Sequence, residues 1–324
     1  MIGSEALFSH RFKSGPSVPV MTNTENLPVA VLGATGAQGA PVVDALLAAG
    51  HPVRALARTP EKLAALAARG VDTRAVDLAD DDALTRALTG VAGVFAHLPF
   101  VPVPELVEAW STSLVRALTA AEVPLTAFTL SGPPSSAPTG VPAPDTKALA
   151  KQILSGAETP LVGFEPGGYL GNLLLSATSI VHEGELRYPL PADHRWAWIS
   201  TEDQAALAVA ALQRPDLAGQ WFRIGEQYIG SDLAAGIGDA LDRPVRYVPL
   251  DPEDFGRLLA PMLGEQAAAA VAEDYRFLAQ RPPLLDLDAD TTPARRALAI
   301  PATPVADWAR AQPWAAVAAP APVA

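Results

Sequence analysis

Val31-Leu32-Gly33-Ala34-Thr35-Gly36-Ala37-Gln38-Gly39 follows a short apolar run that begins at Val29 and precedes an alanine- and leucine-rich stretch that stops at Gly50. The run reads as a buried strand and Ala40 to Ala49 as a helix, so the glycines occupy a strand-to-helix turn. Each glycine then has a task. One lets the chain turn sharply out of the strand, one lets backbone approach a diphosphate, and one lets the helix pack closely on the strand. Free N–H groups at the helix start and the positive end of its dipole face the phosphates there, with Thr35 and Gln38 as further donors and Ala37 in the same turn.

Outward from this turn, strands at Val53–Ala57, Thr73–Val76, Gly93–Leu98, Leu125–Leu130 and Leu161–Glu165 alternate with helices at Pro60–Arg69, Asp80–Leu88, Pro104–Ala121 and Asp145–Leu154. Repeated strand–helix units with short connections predict an α/β fold built on a doubly wound parallel sheet, a Rossmann fold. Gly132 to Pro144, rich in Pro, Ser and Gly, follows a strand at the ligand-binding end and reads as a lid or a pocket rim. After Pro166 the rhythm breaks. Tyr169–Ile180 reads as a helix, and so does Glu202–Leu212, with Thr201 and Gln204 at capping-box spacing. Gln220–Ile224, Leu233–Leu241 and Val245–Val248 read as strand, helix and strand, and Pro252 to about Gln280 as helical. The expected organisation is a Rossmann domain over 26–166 and a smaller C-terminal α+β substrate lobe over 167–300, interleaved with it. Residues 1–25 read as a disordered leader or tag, and 301–324 as a partly disordered Ala/Pro-rich tail.

Composition narrows the function. Hydrophobic residues make up 49% of the 324-residue chain and charged residues 18%, enough apolar material for a sizeable core. A net charge of −12 disfavours nucleic acid as a partner. Cysteine is absent, which excludes disulfides, thiolate metal sites and thiol catalysis and suits a reducing, cytoplasmic setting. With no metal site and no apolar run long enough for a transmembrane helix, the expected partner is a small-molecule substrate bound by a monomer or homodimer.

The end of the second strand sets cofactor choice. An acid there would hold ribose hydroxyls, but the chain has Ala57-Arg58-Thr59. Arg58 either clamps a 2′-phosphate in bidentate fashion, helped by Lys62 one turn into the next helix, or is a solvated surface residue. NADP(H) is preferred over NAD(H) on this reading. Asp77 either accepts from the adenine amino group, with Leu78 covering the ring, or caps the following helix. His97-Leu98-Pro99 ends the fourth strand on the ribose and nicotinamide path, with His97 either functional or structural.

No Tyr-x-x-x-Lys pair is present, because Ala143 stands four residues before Lys147 and Lys147 four before Lys151. Lys147, on the helix after the fifth strand, either holds the cofactor ribose or donates a proton, or else lies solvated on an exposed face. Ser131 ends that strand nearby, and Lys151, one turn on, is expected to face solvent. Trp110, Tyr169, Trp196 and Trp198 either build an apolar pocket or pack in the core.

These motifs, with Asp145-Thr146-Lys147, Phe164-Glu165-Pro166-Gly167-Gly168-Tyr169-Leu170-Gly171-Asn172 and Trp198-Ile199-Ser200-Thr201-Glu202-Asp203, resemble the NmrA-like group of atypical short-chain dehydrogenases from about Pro28 to Phe255. The resemblance implies a Rossmann fold with NADP(H), and it implies that Pro166, Tyr169 and Asn172 lie near the nicotinamide and the pocket. One departure is Lys151, where the group often has glutamate. Lys147, Ser131 and Tyr169 are the candidate catalytic residues of a reductase acting on a quinone, ketone, imine or enone. The group also holds non-enzymatic redox sensors, so the alternative is an NADP(H)-sensing regulatory protein that acts through a protein partner. An epimerase or dehydratase is disfavoured without the tyrosine.

Overall fold

The computed structural model describes residues 27–318. The first half runs β1 (Val29–Leu32), α1 (Gly39–Ala48), β2 (Val53–Ala57), α2 (Pro60–Ala68), β3 (Asp72–Ala75), α3 (Asp81–Leu88), β4 (Gly93–His97), α4 (Pro104–Ala120), β5 (Thr126–Thr129), α5 (Pro142–Ser155) and β6 (Leu161–Pro166). It continues with β7 (Gly168–Tyr169), α6 (Ala177–Glu183), β8 (Glu185–Tyr188), β9 (Trp196–Ile199), α7 (Thr201–Ala211), β10 (Trp221–Ile224), β11 (Glu226–Tyr228) and α8 (Gly230–Leu241). Then come β12 (Arg246–Pro249), α9 (Pro252–Leu263), α10 (Glu265–Ala279), α11 (Thr292–Leu298), α12 (Val305–Arg310) and α13 (Trp314–Ala318).

Seven parallel strands form the main sheet in the order β10-β6-β5-β4-β1-β2-β3. Its inner strands β1 and β4 are apolar on both faces because both are covered, whereas the edge strand β3 is polar and half exposed. Val29 and Val31 point into a core with α1, α2, α7 and α11, while Ala30 and Leu32 point into one with α3, α4 and α5. The chain lays β2 and β3 on one side of β1 and then crosses to β4 on the other, so the crevice outside the strand ends opens between β1 and β4.

The run Gln220–Ile224, expected as part of the substrate lobe, is β10 and extends the main sheet beside β6. The second lobe has a three-stranded sheet (β11-β9-β7), a parallel β8–β12 pair, and helices α6, α8–α10, α12 and α13. Its core holds an aromatic cluster in which Tyr188 meets Trp198 at 5.1 Å between ring centroids, Trp196 meets Trp198 at 5.3 Å and Phe255 meets Tyr275 at 5.2 Å, all edge-on. Trp196 and Trp198 therefore serve as core.

Several expectations are corrected. Tyr169–Ile180 is not one helix, since β7 leads into a 3₁₀ segment at Leu170–Ser176 before α6. The cap of α7 is Ser200, whose hydroxyl accepts from the Asp203 N–H at 3.0 Å, and Thr201 is the first helical residue. Gly264 divides Pro252–Gln280 into two helices. Within the Ala/Pro-rich tail, α12 and α13 bury Trp308 and Trp314 in the second-lobe core. The leader at 1–25 and the end of the tail lie outside the described residues. Among the described residues no helix is long and apolar enough to cross a membrane.

Candidate functional site

A cavity of about 380 Å³ opens at the carboxyl ends of β1 to β4, and Gly33, Thr35, Gly36, Arg58, Lys62, Asp77, Leu78, His97 and Trp110 are among its walls. The turn at its floor depends on glycine at two points. Gly33 has φ +65, and a Cβ there would sit 2.3 Å from His97 Nε2. A Cβ on Gly39 would sit 2.3 Å from the Gly33 carbonyl oxygen, so α1 packs backbone against backbone on the turn. Gln38 is the N-cap of α1 and makes no side-chain cap; the Ala40 N–H goes to the Gly36 carbonyl at 3.0 Å and Pro41 has none, which leaves the Gln38 and Gly39 N–H groups for an anion. Ala37, Gln38 and Gly39 belong to this turn but not to the cavity wall. The buried Gln38 Oε1 and His97 Nε2 have no hydrogen-bond partner, orphaned polar atoms that a bound polar group would satisfy.

Arg58 and Lys62 are exposed at the rim. Neighbouring Arg54, Arg69 and Arg74 are each paired with an aspartate, whereas Arg58 and Lys62 form no ion pair with any described residue. Two unpaired cations and no acid at the end of β2 suit a phosphate on the adenosine ribose. Asp77 lines the cavity and its Oδ1 accepts from the Ala79 N–H at 2.9 Å, while the cap of α3 is Asp80. Burial holds the His97 imidazole below its ordinary value, against the opposing pull of the Leu98 carbonyl 3.3 Å from Nδ1. The ring is therefore neutral at pH 7 and lies over Gly33.

Pro99 lines this cavity and also a second, of about 30 Å³, whose walls include Leu98, Phe100, Phe128, Leu130, Ser131 and Lys147. Lys147 is not solvated. Its side chain is 8% exposed and Nζ pairs with Asp274 Oδ2, itself 15% exposed, at 3.2 Å. Asp274 went unread in the sequence, although it interrupts an apolar stripe formed by Ala270 and Leu278 at i−4 and i+4. Lys151 is partly exposed, at 36%, and its Nζ pairs with Glu165 at 2.5 Å and stands 5.4 Å over the Trp221 ring. The Gly132–Pro144 segment is pinned in place, and none of its residues lines either cavity. The Asp145 carboxylate accepts from the Thr139 and Gly140 N–H groups, both at 2.9 Å, and the Ser136 N–H bonds the Leu284 carbonyl at 2.8 Å.

Pro166, Tyr169 and Asn172 line neither cavity. Pro166 ends β6 opposite Ile224. Tyr169 donates its hydroxyl to Gln204 Oε1 at 2.7 Å, and burial pushes the phenol far above its ordinary range, so it stays protonated and locked to that acceptor. The proton-transfer role expected for it is not supported by this placement. Asn172 lies beside the paired hydroxyls of Tyr188 and Tyr275 in the second lobe. Among the described residues no group of three or more histidine and acid side chains is placed to hold a metal ion.

A model of the NmrA-like family matches residues 25–300. NAD(P)H azoreductase of Xenophilus azovorans is 34% identical over 252 residues, which cover 76% of this chain and 86% of that protein. Quinone oxidoreductase 2 of Escherichia coli (strain K12) is 26% identical over 237 residues, 71% of this chain and 80% of the other. The crystal structure of Citrobacter sp. triphenylmethane reductase complexed with NADP(H) superposes with a TM-score of 0.72 at 18% identity, covering 87% of this chain and 99% of that one.

Proposed function

The chain belongs to the NmrA-like family, and on that premise we propose that it is an NADPH-dependent oxidoreductase of small organic acceptors: quinones, ketones, imines, enones or azo compounds. The cofactor is NADP(H), which supplies a hydride when bound. The observation that carries the reading is that a cation-rimmed cavity shares the wall residue Pro99 with a small space that ends on a buried lysine. The uncapped start of α1 and the Gly33–Gly36 backbone hold the diphosphate, and Arg58 with Lys62 holds the 2′-phosphate. Asp77 takes the adenine amino group and Leu78 covers the ring. Phe100, Phe128 and Leu130 keep water from the acceptor. Lys147 Nζ holds the proton that the acceptor's oxygen or nitrogen takes up as the hydride arrives on its partner atom.

A cofactor sensor needs the larger cavity and nothing beyond Pro99, so the ion-paired lysine favours an enzyme. The work is done on a small molecule in the cytoplasm, by a monomer or homodimer. The test is loss of NADPH absorbance with a panel of quinones, enones and azo dyes. Turnover abolished in K147M is expected. Tight NADPH binding without turnover on any acceptor would overturn the reading in favour of the regulatory alternative.

A further inference from the structure

Lys147 and its counter-ion lie 127 residues apart and in different lobes. A buried ammonium with no counter-charge would shed its proton or be driven out to water. The other charged groups on the elements around it are committed elsewhere. Lys151, one turn along α5, is held by Glu165, which also takes Arg223 at 3.0 Å. The Asp145 carboxylate is taken up by Ser135, Thr139 and Gly140. From α10, Asp274 reaches Nζ, and among the described residues it is the one carboxylate in ion-pair contact with it. On the opposite side the amine rests against Gly132, where a Cβ would come within 2.9 Å of Nζ. Asp274 is itself fixed from behind. The next residue, Tyr275, bonds Tyr188 in the aromatic core, and both phenols feel the Asp274 charge.

We propose that Asp274 is the positioning residue of the reaction, a carboxylate of the second lobe that keeps Lys147 charged and aimed at the Ser131 end of the small cavity. This inference rests on the reductase reading above. The acceptor takes a hydride at one atom, and the electron pair released to its neighbouring oxygen or nitrogen takes a proton from Lys147 Nζ. An N–H bond breaks, an O–H or N–H bond forms, and the amine left behind regains a proton from water. Asp274 touches neither acceptor nor cofactor in this scheme and acts through Lys147 alone.

The experiment compares full-length wild type, D274N, D274E, K147M and the D274N/K147M double variant. In D274N the alkaline fall of kcat with NADPH and a quinone should begin about one pH unit or more lower than in wild type, with KM for NADPH unchanged. D274E should restore the wild-type profile, and D274S carries the same test as D274N if the amide variant does not fold. Thermal melts supply a readout that needs no turnover. The K147M/D274N double variant should melt above either single variant, because each single change strands one charge. Coincident pH profiles for D274N and wild type, or strictly additive melts, overturn the role of Asp274 and leave the reductase reading standing. A wild type that binds NADPH but reduces nothing overturns both.

Discussion

Replacing Arg58 by alanine separates the two pyridine nucleotides by a calculable amount. The guanidinium stands exposed at the rim of the 380 Å³ cavity with no competing carboxylate, so the alanine variant strands no partner and the change reports the contact itself. A bidentate grip on a 2′-phosphate comprises two charge-assisted hydrogen bonds, and at an exposed site each contributes about 1–1.5 kcal/mol. The sum, about 2–3 kcal/mol, converts at about 1.4 kcal/mol per decade into a loss of roughly 30- to 150-fold in NADPH affinity. NADH lacks that phosphate and should bind R58A within about twofold of wild type. Isothermal titration of both nucleotides to both proteins measures the four constants. Raising the salt should shrink the NADPH advantage in wild type more than in R58A, because the contact is open to counter-ions. Equal losses for both nucleotides, or none for either, would refute the assignment of Arg58 to the adenosine phosphate.

G39A places a methyl 2.3 Å from the Gly33 carbonyl oxygen, where neither side can rotate away; it should cost about 1–3 kcal/mol in chemical denaturation and weaken NADPH binding in the same titration. Y169F removes the 2.7 Å bond to the fully buried Gln204 and should cost about 1–2 kcal/mol, with kcat within about threefold of wild type because the phenol lines neither cavity. A hundredfold fall in kcat, about 2.7 kcal/mol of barrier, with an unchanged melting temperature would return Tyr169 to the proton-donor set. His194 is held at about 4, against an ordinary 6.5, by burial and by Arg281, with Asp193 and Asp288 opposing. The unfolded chain therefore takes up the proton first, so this stabilisation is complete above pH 6.5 and is lost as pH falls towards 4. H194Q should flatten the denaturation midpoint across that window.

What the sequence disclosed is what short-range geometry encodes. The glycine turn, the alternation of strands and helices up to β6, and the rim residues Arg58, Lys62, Asp77 and Leu78 all sit within a few residues of a strand end, so spacing alone placed them. The parts that escaped depend on distant partners. Lys147 has the spacing of an exposed helix residue until α10 arrives to bury it, and Lys151 turns inward because Glu165 and Trp221 wait at the sheet edge. Trp221–Ile224 has an ordinary strand signature, but whether it joins the large sheet or the small lobe is a matter of topology that periodicity does not carry. Trp308 and Trp314 were hidden by their setting, since an alanine- and proline-rich stretch gives little sign that two tryptophans will anchor it.

The return of β10 and α7 to the main sheet has a consequence for how such a protein can change. The chain leaves the sheet after β6, comes back for α7 and β10, leaves again, and comes back once more as α11 against the same face. A piece ending at Pro166 would carry Phe95, Val162 and Phe164 with that cover gone, a sticky slab with every reason to aggregate. The second lobe is thus no cassette that recombination can swap for another. Change in that lobe has to be written residue by residue into a chain already stitched through both halves.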